Sequence, residues 1–237
     1  MNRRELMRIM YEVAVNLAGS PDYRSAWAGF CVAVHEMAHK LDVLDGELDG
    51  TPPLPDAWHG RWARDFQRAY DDFIAVGEDL VRRKVTASRH LGIQGGSNGG
   101  LLVGAVFTQR PDLFNAVVCQ VPLLDMRRFH TLLAGASWMG EYGNPDVPAE
   151  WDYISRYSPY QNVKAGVKYP RVLFTTSTRD DRVHPAHARK MVARMLEQGH
   201  DVLYYENIEG GHGGAANNRQ SAYMNALAYA FLLKQLR

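Results

Sequence analysis

The chain has 237 residues, of which 46% are hydrophobic and 22% charged, enough to bury a core in one globular domain, or one domain and a smaller piece. Its 27 Lys and Arg against 26 Asp and Glu leave a formal net charge of +1 with the signs interspersed, which provides no basic stripe and argues against nucleic acid as a partner. A peptide or another small substrate fits that charge balance better, and no stretch reaches the ~18–20 uninterrupted apolar residues a membrane span needs.

The N-terminus opens with the basic residues Arg3 and Arg4, as a signal peptide would, but Glu5, Arg8 and Glu12 break up any apolar core, so the cytoplasm is the expected location. Leu6, Ile9, Met10, Val13 and Leu17 form one stripe of an amphipathic helix over 2–18 that stops before Gly19-Ser20-Pro21. A second helix starts near Ser25, carries His35, Glu36 and His39, and ends around Asp45-Gly46. Cys31 and Cys119 both lie in apolar runs and read as buried, reduced thiols. The proline-dense stretch Leu48–Pro55 is a loop, and a helical pattern follows from about Asp56 to Arg83 with Trp62, Phe66, Tyr70, Phe73, Ile74, Leu80 and Val81 on or near one face.

The texture then changes. Strands near 90–95, 116–121, 171–176 and 202–206 alternate with helices near 98–109, 185–199 and 217–235, which implies a parallel sheet with its functional groups beyond the carboxyl ends of the strands. At the first strand–helix junction stands Gly95-Gly96-Ser97-Asn98-Gly99-Gly100, the strand–turn–helix setting of a nucleophile elbow. Glycine belongs at 95 and 99 because a Cβ there would run into the neighbouring helix or strand. An activated serine needs a base and an acid to orient that base. Asp180 follows the third strand and His212, between glycines, follows the fourth, in the order Ser, Asp, His used by α/β-hydrolases. Asp181 and Glu209 read as solvated charges.

From about Asp72 to Leu236 the chain resembles the C-terminal part of the catalytic domain of the prolyl oligopeptidase family of serine peptidases. The resemblance is carried by Gly95–Gly100, Val121-Pro122-Leu123-Leu124-Asp125-Met126, Ser137–Gly143, Tyr157-Ser158-Pro159-Tyr160, Asp180–Pro185 and Gly210–Gly213. It implies a partial α/β-hydrolase sheet with flanking helices. It also implies peptide hydrolysis after proline through an acyl-enzyme, with no cofactor required. By the same resemblance Ser97 is the nucleophile, His212 the general base, Asp180 the orienting acid and the Asn98 backbone N–H an oxyanion donor. Trp138 would stack on a substrate proline, Tyr142 and Val183 would wall the pocket, and Arg182 would hold a substrate carbonyl.

A second pattern, His35-Glu36-Met37-Ala38-His39, puts two imidazoles on one helical face beside a glutamate. With its flanks through Asp49-Gly50-Thr51-Pro52-Pro53-Leu54 it resembles the zinc-site helix of the Mlc titration factor A family of zinc peptidases over about residues 20–70. That family's third ligand, a downstream glutamate, has no counterpart in this chain, and two histidines alone make a weak zinc site.

The two resemblances meet near Tyr70–Phe73, dividing the chain into an N-terminal helical segment, 1–68, and a hydrolase region, 69–237. The hydrolase region lacks strands on one side of the elbow, the family's β-propeller and its second oxyanion donor, a tyrosine. Losing one such donor costs on the order of 10²–10³ in rate, and an elbow strand with an open edge calls for a cover. The N-terminal helices, or a second copy of the chain in a homo-oligomer, would supply that cover; without it the chain folds poorly. Zinc-dependent peptidase and non-catalytic scaffold are the rival readings.

Overall fold

The computed structural model describes residues 55–237, with side chains from Phe66 onward. The expected helices at 2–18 and from Ser25, with His35, Glu36 and His39 on the second, lie outside the described residues.

Helix α1 (Pro55–Arg82) passes without interruption through the point where the two resemblances meet. Its buried positions Phe66, Tyr70, Phe73, Gly77 and Leu80 repeat every three or four residues, and the glycine lets Leu113 and Phe114 approach. The helix ends in a Schellman motif. The Val85 N–H donates to the Leu80 carbonyl and the Lys84 N–H to that of Val81, with Lys84 left-handed at φ 60°.

Strands β1 (Gly92–Gly96), β2 (Ala116–Gln120), β3 (Arg171–Ser177) and β4 (Val202–Asn207) form one parallel sheet in the order β1-β2-β3-β4. All four lie within a residue or two of their expected positions. Among the described residues β1 pairs with β2 alone, so the elbow strand stands at the sheet's edge.

Strands β2 and β3 are buried on both faces, which is why they read as continuous apolar runs. Val117, Cys119, Val172 and Phe174 face one core with α1, α2 (Asn98–Gln109) and α6 (Ala186–Glu197). Ala116, Val118 and Leu173 face the opposite way, against Ala228 and Phe231 of α7 (Asn218–Leu236). Cys119 is a free thiol with no exposure.

Between β2 and β3 the chain forms two 3₁₀ turns, Phe129–Thr131 and Leu133–Trp138, and three short helices, α3 (Met139–Tyr142), α4 (Pro148–Tyr157) and α5 (Pro159–Asn162). The sequence reading assigned none of these. Prolines open α4 and α5, where the missing N–H costs nothing and the fixed φ suits a helix start. Register aligns Gly96 with Gln120 and Gln120 with Thr175, so the strands' carboxyl ends share one rim. Among the described residues no helix is long and apolar enough to cross a membrane.

Candidate active site

Ser97 connects β1 to α2 at φ 59°, ψ −118°, a conformation that few residues with a Cβ adopt. Hydrogen bonds hold it there. The Ser97 N–H donates to the Gln120 carbonyl at 2.9 Å, and the Ser97 carbonyl accepts from Gly100 at 2.9 Å and Leu101 at 3.2 Å. The surrounding glycines are steric requirements: a Cβ on Gly95 would strike the Gly99 carbonyl, and one on Gly100 would come within 2.6 Å of Pro122.

The β3 loop delivers Asp180, which is 4% exposed. Its Oδ1 accepts from the Arg182 and Val183 N–H groups, each at 2.9 Å, so the carboxylate is oriented by its own loop. Its neighbour Asp181 is exposed, as is Glu209.

The β4 loop delivers His212. Asn207, at the end of the strand, pins this loop by accepting from Glu209 N–H at 2.9 Å and Gly210 N–H at 3.2 Å. Close packing of Gly210 on Gly214 and Ala215 leaves no room for a side chain there. His212 Nδ1 lies 3.0 Å from both carboxylate oxygens of Asp180, and its Nε2 lies 3.0 Å from Ser97 Oγ. With the proton on Nδ1 donated to Asp180, Nε2 is free to accept from the serine hydroxyl. The arrangement can therefore raise the nucleophilicity of Ser97 and stabilise the imidazolium that forms.

Further expected site residues touch this centre, Tyr142 through Asn98, and Arg182 and Val183 through Asp180. Asn98 follows Ser97, and its side-chain oxygen accepts a 2.7 Å hydrogen bond from the Tyr142 hydroxyl. Tyr142 and Val183 are buried, each 3% exposed. Trp138 is half-buried against the main core, and Arg182 is exposed. His35, Glu36 and His39 lie outside the described residues. Among the described residues no three His, Cys, Asp or Glu side chains are grouped to hold a metal.

One cluster next to this centre escaped the sequence reading. Asp125, with no exposure, pairs with Lys190 and accepts from Gln161 at 2.7 Å. Burial alone would raise its pKa, but the hydrogen bonds from Lys190 and Gln161 outweigh it and hold the carboxyl below its ordinary value. His187 Nδ1 accepts from the Leu124 and Asp125 N–H groups at 3.3 and 3.0 Å, which ties the loop after β2 to the helix that follows the Asp180 loop. Burial pushes the His187 pKa down to about 4, so the ring is neutral and able to accept. The available signals were one acid within the apolar run Leu123-Leu124-Asp125-Met126 and one imidazole on the stripe that continues through Met191 and Met195.

A sequence profile of the prolyl oligopeptidase family matches residues 43–237. An uncharacterized peptidase of Sinorhizobium fredii is 56% identical over 180 residues, covering 76% of this chain and 25% of the relative. The prolyl endopeptidase of Elizabethkingia miricola is 38% identical over 231 residues, covering 92% of this chain and 33% of the relative. A solved structure from a structural and mechanistic analysis of two prolyl endopeptidases superposes with a TM-score of 0.72 at 43% identity, over 76% of this chain and 27% of the other. The chain thus spans about a quarter to a third of the length of these relatives. Profile, relatives and superposition agree with one another: this chain belongs to the prolyl oligopeptidase family of serine peptidases.

Proposed function

We propose that the chain hydrolyses peptide bonds on the carboxyl side of proline. Ser97 Oγ attacks the scissile carbonyl while His212 Nε2 takes its proton, and Asp180 stabilises the resulting imidazolium. The Asn98 backbone N–H stabilises the oxyanion of the tetrahedral intermediate. His212 then protonates the leaving amine, and a water activated by the same base releases the acyl group from Ser97. Trp138 stacks on the substrate proline, Tyr142 and Val183 wall the pocket, and Arg182 holds a substrate carbonyl. The observation that carries this reading is the pair of 3.0 Å contacts on the two nitrogens of His212, to Asp180 and to Ser97.

The reading includes the division into segments 1–68 and 69–237, a Mlc titration factor A-like zinc-site helix in the first segment, cytoplasmic location, and a second copy of the chain over the open edge of β1. Fluorophosphonate capture with Ser97→Ala as control tests the serine mechanism. Labelling of Ser97 supports it, whereas chelator-sensitive, phosphonate-resistant hydrolysis would replace it with zinc chemistry at His35, Glu36 and His39. A size-exclusion mass of one chain would remove the second copy.

A further inference from the structure

Tyr142 does more than line a pocket. It ends α3, 44 residues beyond Asn98, and its hydroxyl donates a 2.7 Å hydrogen bond to Asn98 Oδ1. The ring is clamped: Phe66 of α1 lies 4.9 Å away between centroids, and Phe129 meets it edge-on at 5.6 Å. Burial raises the phenol well above its ordinary pKa, so the group remains a donor across the working pH range.

Asn98 is the first residue of α2, and the direction of its backbone N–H follows from the left-handed Ser97 before it. Such a backbone persists only while its surroundings hold it. The bonds to Gln120 and from Gly100 and Leu101 secure Ser97 on the sheet and helix sides. The Tyr142 tether secures the next residue from the pocket side.

We propose that Tyr142 is a positioning residue. Through the Asn98 side chain it holds the Asn98 N–H on the oxyanion, and it joins the segment 133–142 to the nucleophile elbow. This rests on the serine-peptidase reading above. The ring and the hydroxyl then have separable jobs: the ring walls the pocket and acts on KM, while the hydroxyl aims the oxyanion donor and acts on kcat.

Tyr142→Phe keeps the ring and its packing and removes the tether. With a Gly-Pro p-nitroanilide as substrate, kcat is expected to fall about tenfold, the size of one lost hydrogen bond at a preorganised donor, with KM within about twofold of the parent. Fluorophosphonate capture should slow by a similar factor. Asn98→Ala keeps its own N–H but loses the acceptor, so it should show the same drop, and the double variant should show no more than either single one. An unchanged kcat in Tyr142→Phe, or losses that multiply in the double variant, overturns the proposal.

Amide hydrogen exchange provides a readout independent of turnover. Faster exchange at Asn98 in Tyr142→Phe, with the melting temperature retained, upholds the tether, and unchanged exchange overturns it. Should the parent chain fail to react with the fluorophosphonate, the catalytic reading falls with Ser97, and exchange alone then decides whether the tether exists.

Discussion

His212 Nε2 lies 3.0 Å from Ser97 Oγ although 115 residues separate the two in the chain. The proximity is produced by register: β1 and β4 end on the same rim, two strands lie between them, and each loop leaves its strand under backbone restraint.

Asp180→Asn should therefore be costly without unfolding the protein. An amide in place of the carboxylate would present the wrong group to His212 Nδ1, favour the wrong tautomer and leave Ser97 without an acceptor. A kcat reduction on the order of 10⁴ is expected, with little change in KM. Steady-state kinetics checks it, and a loss below tenfold would remove Asp180 from the mechanism.

Trp138→Ala addresses the pocket. The side chain is half-buried, so truncation should lower stability by only about 1–2 kcal/mol while KM for proline peptides rises tenfold or more. An unchanged KM would take proline selection away from Trp138.

His187 makes the fold sensitive to acid. Its pKa is lowered from the ordinary 6.5 to about 4, chiefly by burial, with Asp125 and Asp180 opposing the shift and Lys190 and His184 adding to it. Between these two values the unfolded chain binds the proton and the folded one does not, so stability falls as pH drops from 6.5 towards 4, by about 3 kcal/mol in all. Asp125 acts in a separate window. Its lowered pKa stabilises the fold above the ordinary 3.8, and that contribution is lost only as pH falls below it. Urea midpoints measured from pH 7 to pH 4 should show the slope, and His187→Gln, which keeps an acceptor but cannot titrate, should flatten it.

Lys84 occupies the left-handed position of the Schellman motif that ends α1, at φ 60°. Lys84→Gly removes the Cβ penalty there and should stabilise the protein by about 1 kcal/mol, raising the melting temperature without altering kinetics. A lower melting temperature would mean that the lysine side chain contributes more than its backbone costs.

The sequence was most readable where a residue's neighbours lie within a few positions. The apolar runs of β2 and β3, the stripe of α1 and the glycine at 95 each have local steric or periodic causes, and their elements appear close to where they were expected, whereas the need for glycine at 100 comes from Pro122 and was not read. The order of Ser97, Asp180 and His212 at strand ends was readable for the same reason, since each stands just after a recognisable strand. The choice of Asp180 over Asp181 came from a family resemblance. What distinguishes the two in the structure is that the Arg182 and Val183 N–H groups turn back onto Asp180.

Composition and periodicity by themselves determined a parallel α/β sheet, a sharp turn at Ser97 and a loop histidine framed by glycines, because helix, strand and turn preferences act over a few residues. Tertiary structure alone decided that Tyr142 reaches Asn98, and that Asp125 and His187 are buried beside the same loops. A hydroxyl or an imidazole acquires its partner and its pKa only from groups that folding brings in from tens of residues away.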